Sequence, residues 1–181
     1  MLQGQFLIAS PYLADPNFCQ AVVLLVHHTD EGTFGLVVNR PTDSIVEDVW
    51  HSVSETPCDC HDYLYVGGPV AGPLMALHTY APLAELEVLP GLFFSAKREN
   101  IEQLMLVGDA QFRLFLGHSG WAGGQLENEL EEGSWFTLPA SVSDIFGEQS
   151  DLWKNSTELF GKNLLGKTLG IHKFPSDPNM N

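Results

Sequence analysis

The segment that most constrains this chain is the apolar run AVVLLV at residues 21–26, the longest strongly apolar stretch in the sequence. It is far shorter than the roughly 20 residues that a membrane-spanning helix needs. Its nearly unbroken Val and Leu content is typical of a β-strand that is buried on both faces. Turn residues follow at 29–33, and a second strand is predicted at 34–38. Residues 21–38 therefore predict a β-hairpin whose first strand is buried.

Strand patterns recur along the rest of the chain, but they do not alternate regularly with helices. Further strands are predicted at residues 3–8, 63–66, 74–79, 92–95, 111–116 and 135–138. Pro41 is predicted to stop the strand that precedes it. Roughly eight strands with four or five helices, and no strict βαβ order, indicate the α+β class.

Predicted helices begin at residues that can cap them. Ser44 and Glu47 have the spacing of a capping box, which predicts a helix over the next two turns. Ser95 is a candidate cap for a helix to about residue 107, and a short helix is predicted at 124–132. Ser141 and Ser150 are candidate caps for two last helices, the second of which is expected to break near residue 161 or 166.

Length and composition favour a single domain. The 181 residues, of which 44% are hydrophobic, suit one domain over residues 1–181. We expect an ordered core from about residue 3 to residue 172 and a loose tail from Pro175 onward. The three cysteines form no disulfide framework, and the N-terminal residues do not resemble a signal peptide. These features indicate a reducing, cytoplasmic location without membrane attachment.

The charge balance argues against direct binding to nucleic acid. The chain has 8 Lys and Arg against 23 Asp and Glu, which gives a formal net charge of −15. Arg40 is the only Lys or Arg in the first 96 residues. Such a surface repels polyanions and lacks the basic stripe that displaces counterions from phosphates.

Four stretches, in order and at characteristic spacing, resemble the bacterial YqgE/AlgH family. They are GQFLIASP at 4–11, GLVVNRP at 35–41, GGPV at 67–70 and GWAGGQLE at 120–127. The resemblance runs from about residue 4 to residue 171. It implies an α+β fold with a branched, mostly antiparallel sheet that includes a small closed β-barrel, surrounded by helices. Some family members are labelled transcriptional regulators, and the resemblance carries over no catalytic residue.

Arg40, within Asn39-Arg40-Pro41, is the first candidate for a functional role. A guanidinium offers bidentate hydrogen bonds, so Arg40 could clamp an anion or a carboxylate ligand. The alternative is an internal ion pair with one of the many carboxylates, and this alternative is favoured because partly buried Arg is usually paired.

Residues 117–121 (GHSGW) partly match a nucleophile elbow, which would make Ser119 a hydrolase nucleophile. The elbow lies between a strand and a helix, the context predicted here. However, Trp121 stands where the second glycine belongs, and the sequence places neither a base nor an oxyanion hole. A tight glycine turn is the favoured interpretation, with a hydrolase kept as an alternative.

The remaining polar clusters carry weaker signals. The glycines at 120–124 could expose helix N–H groups to an anion, although close packing of Trp121 is favoured. The segment CDCH at 58–61 is spaced too tightly for a structural zinc site, so no metal and no cofactor are predicted. The four glutamates between residues 127 and 132 are read as a solvated helix face.

These observations combine into one site hypothesis. The turns at 39–41, 67–69 and 120–124 each follow a predicted strand, and loops at strand ends commonly carry sites. If they gather at one end of the sheet, they form a cleft for a ligand with a negative or carbonyl group. The candidate binding residues are Asn39, Arg40, Gly67, Gly68, Trp121 and Gln125. The sequence thus favours a binding or regulatory protein, acting through a small ligand or a protein partner, over an enzyme.

Overall fold

The computed structural model describes residues 2–148 and 150–169. These residues contain ten strands, five α-helices and a short 3₁₀ helix. The strands are β1 (Gln5–Ala9), β2 (Val22–Thr29), β3 (Gly32–Val37), β4 (Pro41–Ile45), β5 (Tyr63–Val66), β6 (Val70–His78), β7 (Leu86–Leu89), β8 (Leu92–Ser95), β9 (Phe112–Ala122) and β10 (Trp135–Pro139). The helices are α1 (Val46–Val53), α2 (Arg98–Leu104), α3 (Gln125–Glu131), α4 (Val142–Phe146) and α5 (Leu152–Leu169), with the 3₁₀ helix at Ala81–Leu83.

The sheet is mostly antiparallel and curls into a half-barrel. Its main path runs β10-β1-β2-β3-β9-β6-β8-β7. Curling brings β7 into contact with β2 and lets the Gln3 side chain donate to the Glu87 carbonyl at 3.1 Å. Within the described residues β7 does not pair with β10, so the sheet stays open. The α+β class and the antiparallel sheet are confirmed, whereas the small closed barrel is not.

The sheet branches at β9, as expected. This long strand pairs with β6 along one edge. Along its other edge it pairs with β3 in its second half and, in parallel, with β5 near Phe115 and Leu116. Strand β4 extends the branch by pairing with β5. The branch leaves the main path of the sheet next to the C-terminal end of β3, where the Val37 N–H donates to the Gly67 carbonyl at 2.8 Å.

Strand β2 lies in the middle of the molecule because both of its faces are covered. Val22, Leu24 and Val26 point into the core enclosed by the half-barrel. Val23 and Leu25 alternate with them and pack in a second core on the convex side, under Trp121 and Trp135. The prediction of a doubly buried strand in a hairpin with β3 is confirmed. A third cluster lies under α1 and α2, around Trp50, Ile101 and Leu114.

Two predicted helix caps are wrong. Ser44 lies in β4, and α1 begins after Ile45 without a side-chain cap. Ser95 ends β8, is fully buried and donates to the Leu83 carbonyl, while α2 begins only at Arg98. The cap at Ser141 is confirmed, because its side chain and that of Asp144 form a complete capping box.

Two strands escaped prediction, and the predicted extents of β9 and α5 are wrong. Pro41 begins β4 rather than only ending its predecessor, and β7 precedes the turn at 90–91. Strand β9 extends to Ala122, six residues beyond its predicted end, and α5 continues without a break through residue 161. The tail predicted to be loose lies outside the described residues. No helix in the described part of the chain is both long and apolar enough to cross a membrane.

Candidate functional site

Arg40 lies just beyond β3 and is held by backbone carbonyls. Its guanidinium donates to the carbonyl oxygens of Asn17 and, at 2.9 Å, Cys19. The neighbouring Asn39 amide donates to the Gln20 carbonyl and accepts from the Val22 N–H, both at 2.9 Å. Together the two side chains fix the end of the loop that leads into β2.

The favoured expectation of an internal ion pair at Arg40 is wrong for the described residues. No carboxylate among them lies within 4.0 Å of its guanidinium, in contrast to Arg98, whose Nε lies 2.9 Å from the Glu102 carboxylate. A guanidinium has five N–H donors, and those of Arg40 bound to the two carbonyls do not exhaust them. The group is therefore fixed in position while its charge is not neutralised by a neighbouring carboxylate.

Arg40 borders a cleft of about 780 Å³. One wall consists of residues 39–41 together with Tyr63 and Tyr65 of β5, and Arg113 of β9 also lines it. The other wall is formed by residues 147, 148, 150 and 151, between α4 and α5, and by the first turn of α5, including Trp153 and Lys154. The cleft thus lies between the branch formed by β4 and β5 and the first turn of α5.

Arg113 is the second fixed cation of the cleft. Its guanidinium lies over the Tyr65 ring, with 4.4 Å from Cζ to the ring centroid. It donates to the carbonyl of Ile145 and makes a longer contact of 3.5 Å to that of Gly147. Burial lowers the pKa of Arg113, and the nearby Tyr65 and Asp62 oppose this effect. An arginine nevertheless stays charged at neutral pH, so Arg113 ties α4 to the sheet while keeping a positive charge at the cleft.

The cleft concentrates positive charge in an acidic protein. Lys154, exposed in the first turn of α5, joins the two arginines, so three of the chain's eight Lys and Arg line one cavity. Glu148 and Asp151 also line it, on the connection before α5. The cleft thus carries three cations and two carboxylates, whereas the whole chain has a formal charge of −15.

Gly67 and Gly68 do not line the cleft. They lie where the chain crosses closely over β9, between β5 and β6. A Cβ on Gly67 would lie 2.4 Å from the Gly117 carbonyl oxygen, and one on Gly68 would lie 2.3 Å from the backbone of His118. The Gly67 carbonyl accepts from the Val37 N–H at 2.8 Å. These glycines allow the chain to pass directly over β9 behind the cleft.

Ser119 is not at a strand-to-helix turn. It lies inside β9, pairs with Gly35 of β3 and is fully buried. Its hydroxyl donates to the Gly67 carbonyl at 3.2 Å. The predicted elbow context and the favoured interpretation as a tight glycine turn are both wrong, because β9 continues through residues 117–121 instead of ending before them.

Trp121 and Gln125 lie far from Arg40. Trp121 pairs with Thr33, and Arg40 follows Thr33 by seven residues, roughly 20 Å at the rise of an extended chain. The Gln125 amide accepts from the Ala122 N–H and donates to Glu129. The structure therefore does not gather the six candidate residues: Asn39 and Arg40 line the cleft, and the other four lie elsewhere.

Glu129 is not part of a freely solvated helix face. Its carboxylate accepts hydrogen bonds from the indole N–H groups of Trp121 and Trp135, at 2.9 and 2.8 Å, and from Gln125. The favoured packing role of Trp121 agrees with this arrangement, since its ring is buried beside Phe18 and Trp135. The hydrogen bonds of Glu129 thereby fasten α3 to the convex side of the sheet.

The cysteine-rich loop shows no ligand cluster in the described residues, where no three His, Cys, Asp or Glu side chains are placed to hold one metal ion. Cys58 is buried, with its Sγ 3.5 Å from the Met105 Sδ. Burial raises the pKa of the Cys58 and Cys60 thiols.

A second, smaller groove of about 280 Å³ lies between α1 and α2. Its lining is mostly apolar and includes Trp50, Val53 and Ile101. Arg98 is the charged residue at its edge, and Glu102 neutralises it. Compared with the cleft at Arg40, this groove has no fixed and uncompensated charge to orient a ligand.

Sequence reasoning missed most of the cleft, including Tyr63, Tyr65, Arg113 and Lys154. One signal was accessible, because residues two apart in a strand share a face, and this places both tyrosines of β5 on one side. The position of Arg113 opposite them depends on the parallel pairing of β5 with β9, which no local pattern encodes.

Comparison with known proteins agrees with the resemblance seen in the sequence. The model of the AlgH-like family, DUF179, matches residues 6–165. A UPF0301 protein of Chlorobaculum tepidum is 35% identical over 98% of this chain and 95% of its own length. A UPF0301 protein of Streptomyces coelicolor is also 35% identical, over 99% and 95%.

Two solved structures share the fold. The solution structure of the AlgH protein from Pseudomonas aeruginosa superposes with a TM-score of 0.75 at 31% identity, covering 97% of this chain and 96% of that one. A crystal structure of a Corynebacterium diphtheriae protein gives a TM-score of 0.72 at 26% identity, covering 88% and 87%.

Proposed function

We propose that this chain, which belongs to the AlgH-like family, binds a small anionic ligand in the cleft between Arg40 and Arg113. In this proposal the protein acts by binding rather than by catalysis. Any regulatory effect on a partner follows from whether the cleft is occupied.

A single observation carries the proposal: two guanidinium groups that line one cleft are anchored by backbone carbonyls and not by carboxylates. Carbonyls hold a guanidinium in place without cancelling its charge. A site whose donors are already oriented loses little freedom on binding, which favours affinity. In a chain with 23 acidic residues, two such arginines at one cavity support a role in recognising negative charge.

The two rival functions have less support. A hydrolase that uses Ser119 needs an accessible hydroxyl, and this one is fully buried and donates to a carbonyl. A regulator that binds DNA directly needs an extended basic surface, and the net charge of −15 opposes it. A recessed cleft with three cations admits a small anion, whereas a polyanion meets the acidic surface around it.

The proposal is tested by isothermal titration calorimetry of the full chain with ribose 5-phosphate and inorganic pyrophosphate. We expect saturable binding of at least one of them. Lys154→Gln removes an exposed charge from the cleft, and Lys162→Gln removes one from the same helix two turns away. Binding should weaken about threefold to fivefold in K154Q, as loss of an exposed ion pair predicts, and stay unchanged in K162Q.

Two results would contradict the proposal. One is the absence of saturable binding of both ribose 5-phosphate and pyrophosphate up to about 10 mM, a concentration that corresponds to a binding free energy of about −3 kcal/mol. The other is an equal loss in K154Q and K162Q, which would mean that the anions respond to overall charge and not to the cleft.

A further inference from the structure

The wall of the cleft formed by β5 is aromatic. Tyr63 and Tyr65 lie on the same side of the strand, and both line the cavity. Tyr65 is buried beneath the Arg113 guanidinium, whereas 54% of Tyr63 is exposed. Tyr63 is held at the branch of the sheet by pairing with Ile45 of β4. The structure therefore presents an accessible phenol ring, carried on a paired strand, in the same cavity as the three cations.

The opposite wall is also aromatic and fixed. Trp153, in the first turn of α5, donates its indole N–H to the Ala9 carbonyl at 2.8 Å. This bond fastens the helix to β1 and sets the position of the ring that lines the cleft. A volume of about 780 Å³ between two such walls lies within the range of small-molecule sites, roughly 300–1,000 Å³.

We propose that the ligand is a mononucleotide, with its base against Tyr63 and its phosphate between Arg40 and Lys154. This inference rests on the proposed anion binding and names its chemical class. Any of the planar bases can stack on an exposed aromatic ring, because stacking does not depend on the hydrogen-bonding groups of the base. Guanidinium and ammonium groups bind the phosphate.

The two carboxylates of the cleft are more compatible with a mononucleotide than with a ligand that is negatively charged throughout. Glu148 and Asp151 repel a ligand that is negative throughout. An ionised carboxylate, however, accepts hydrogen bonds, and a nucleotide supplies donors in its ribose hydroxyls. A ligand with one anionic end and one neutral, donor-rich end matches a cleft with three cations and two carboxylates.

The test compares nucleoside monophosphates with ribose 5-phosphate, which lacks the base, by calorimetry on the full chain. We expect AMP, GMP, CMP or UMP to bind at least about fivefold tighter than ribose 5-phosphate, the gain that one stacked base provides. Tyr63→Ser should remove this advantage, so that the nucleotides and ribose 5-phosphate bind with about equal affinity. Tyr63→Phe keeps the ring and should keep the advantage.

Tyr12→Ser is the matched control, because Tyr12 is 94% exposed and does not line the cleft. Thermal unfolding of each variant establishes that it is folded. The inference is overturned if all four nucleotides bind no tighter than ribose 5-phosphate, or if Y63S and Y12S behave alike. In that case binding of ribose 5-phosphate that depends on Lys154 still supports the proposed function, whereas absence of all binding refutes both.

Discussion

His78 is the buried titratable group whose protonation state can be read from its hydrogen bonds. The Ser95 hydroxyl donates its one proton to the Leu83 carbonyl, so the His78 Nε2, 3.0 Å away, must donate to that hydroxyl. The Nδ1 accepts from the Tyr80 N–H at 3.3 Å. The ring is therefore neutral, since a protonated ring would have no lone pair for Tyr80. Burial lowers its pKa, and the nearby Glu85 carboxylate opposes this effect.

The neutral His78 ring predicts a loss of stability in mild acid. In the unfolded chain the imidazole has a pKa near 6.5, and in the folded protein its pKa is lower. Below pH 6.5 the unfolded state therefore binds more protons, so the free energy of unfolding falls as the pH decreases. The stability that the neutral His78 provides is fully present above about pH 6.5 and is lost as the pH falls toward the pKa of the folded state. Urea unfolding at pH 7.5 and pH 5.5 should show a lower midpoint at pH 5.5.

Two variants separate this effect from other titrations. His78→Gln cannot titrate and should reduce the difference between the two pH values, although it costs about 1–3 kcal/mol at pH 7.5 because a buried hydrogen bond is disturbed. His51→Gln, at an exposed position on α1, should keep the difference. An unchanged difference in H78Q would show that other groups cause the acid sensitivity.

Among the elements, residues 67–68 cross β9 so closely that no side chain fits at either position. The Gly67 N–H donates to the Leu116 carbonyl at 2.8 Å, which continues the parallel pairing of β5 with β9. This crossing joins the branch that carries Tyr63 and Tyr65 to the main sheet. It thereby sets the distance between the aromatic wall and Arg113.

Gly67→Ala should destabilise the protein. The added Cβ would lie 2.4 Å from a backbone oxygen and 2.8 Å from the Leu36 Cδ2, so the crossing must move. Overpacking of this kind costs about 1–3 kcal/mol. Gly108→Ala is the control, because a Cβ there meets nothing within 4 Å. Urea unfolding followed by tryptophan fluorescence measures both variants, and equal midpoints would contradict the account.

Elements whose burial follows from their own apolar residues could be predicted. Elements that form only through pairing with distant segments could not. The apolar pattern of β2 was sufficient because its burial is intrinsic to its sequence. Helix α1 has no side-chain cap because the N–H groups of Val46 and Glu47 donate to the carbonyls of Asp62 and Cys60. Those carbonyls lie on the loop after the helix, so a local cap rule applied to Ser44 could not anticipate them. Strand β4 likewise exists through its pairing with β5.

On the scale of the whole molecule, the charge distribution could be anticipated only in part. Composition identified Arg40 as an isolated cation, and the structure places it in the cleft. The grouping of Arg40 with Arg113 and Lys154 unites residues that are up to 114 positions apart in the chain. It depends on the branching of the sheet and on the placement of α5 against β1. The prediction that Trp121 and Gln125 lie beside Arg40 is wrong for the same reason. Turns that follow different strands can lie at opposite ends of the sheet, and only the strand pairing decides which.

The same distribution explains why a small ligand suits this protein better than a polymer. An acidic surface lowers the local concentration of anions at long range. Within about 10 Å, the Debye length at 0.1 M salt, the nearest charges dominate. A small anion that enters the cleft therefore interacts mainly with the three cations there, whereas a nucleic acid also contacts the acidic residues outside.

The most direct test of anion binding at the cleft is an NMR titration that observes the arginine Nε–Hε groups of the full chain during addition of ribose 5-phosphate. Arg40 and Arg113 line the cleft, and Arg98, paired with Glu102 at the other groove, serves as an internal reference. We predict saturable shifts of the Arg40 and Arg113 resonances with one common dissociation constant, and no saturable shift for Arg98. Shifts that are absent, or equal for all three arginines, would contradict the assignment of the cleft as the binding site.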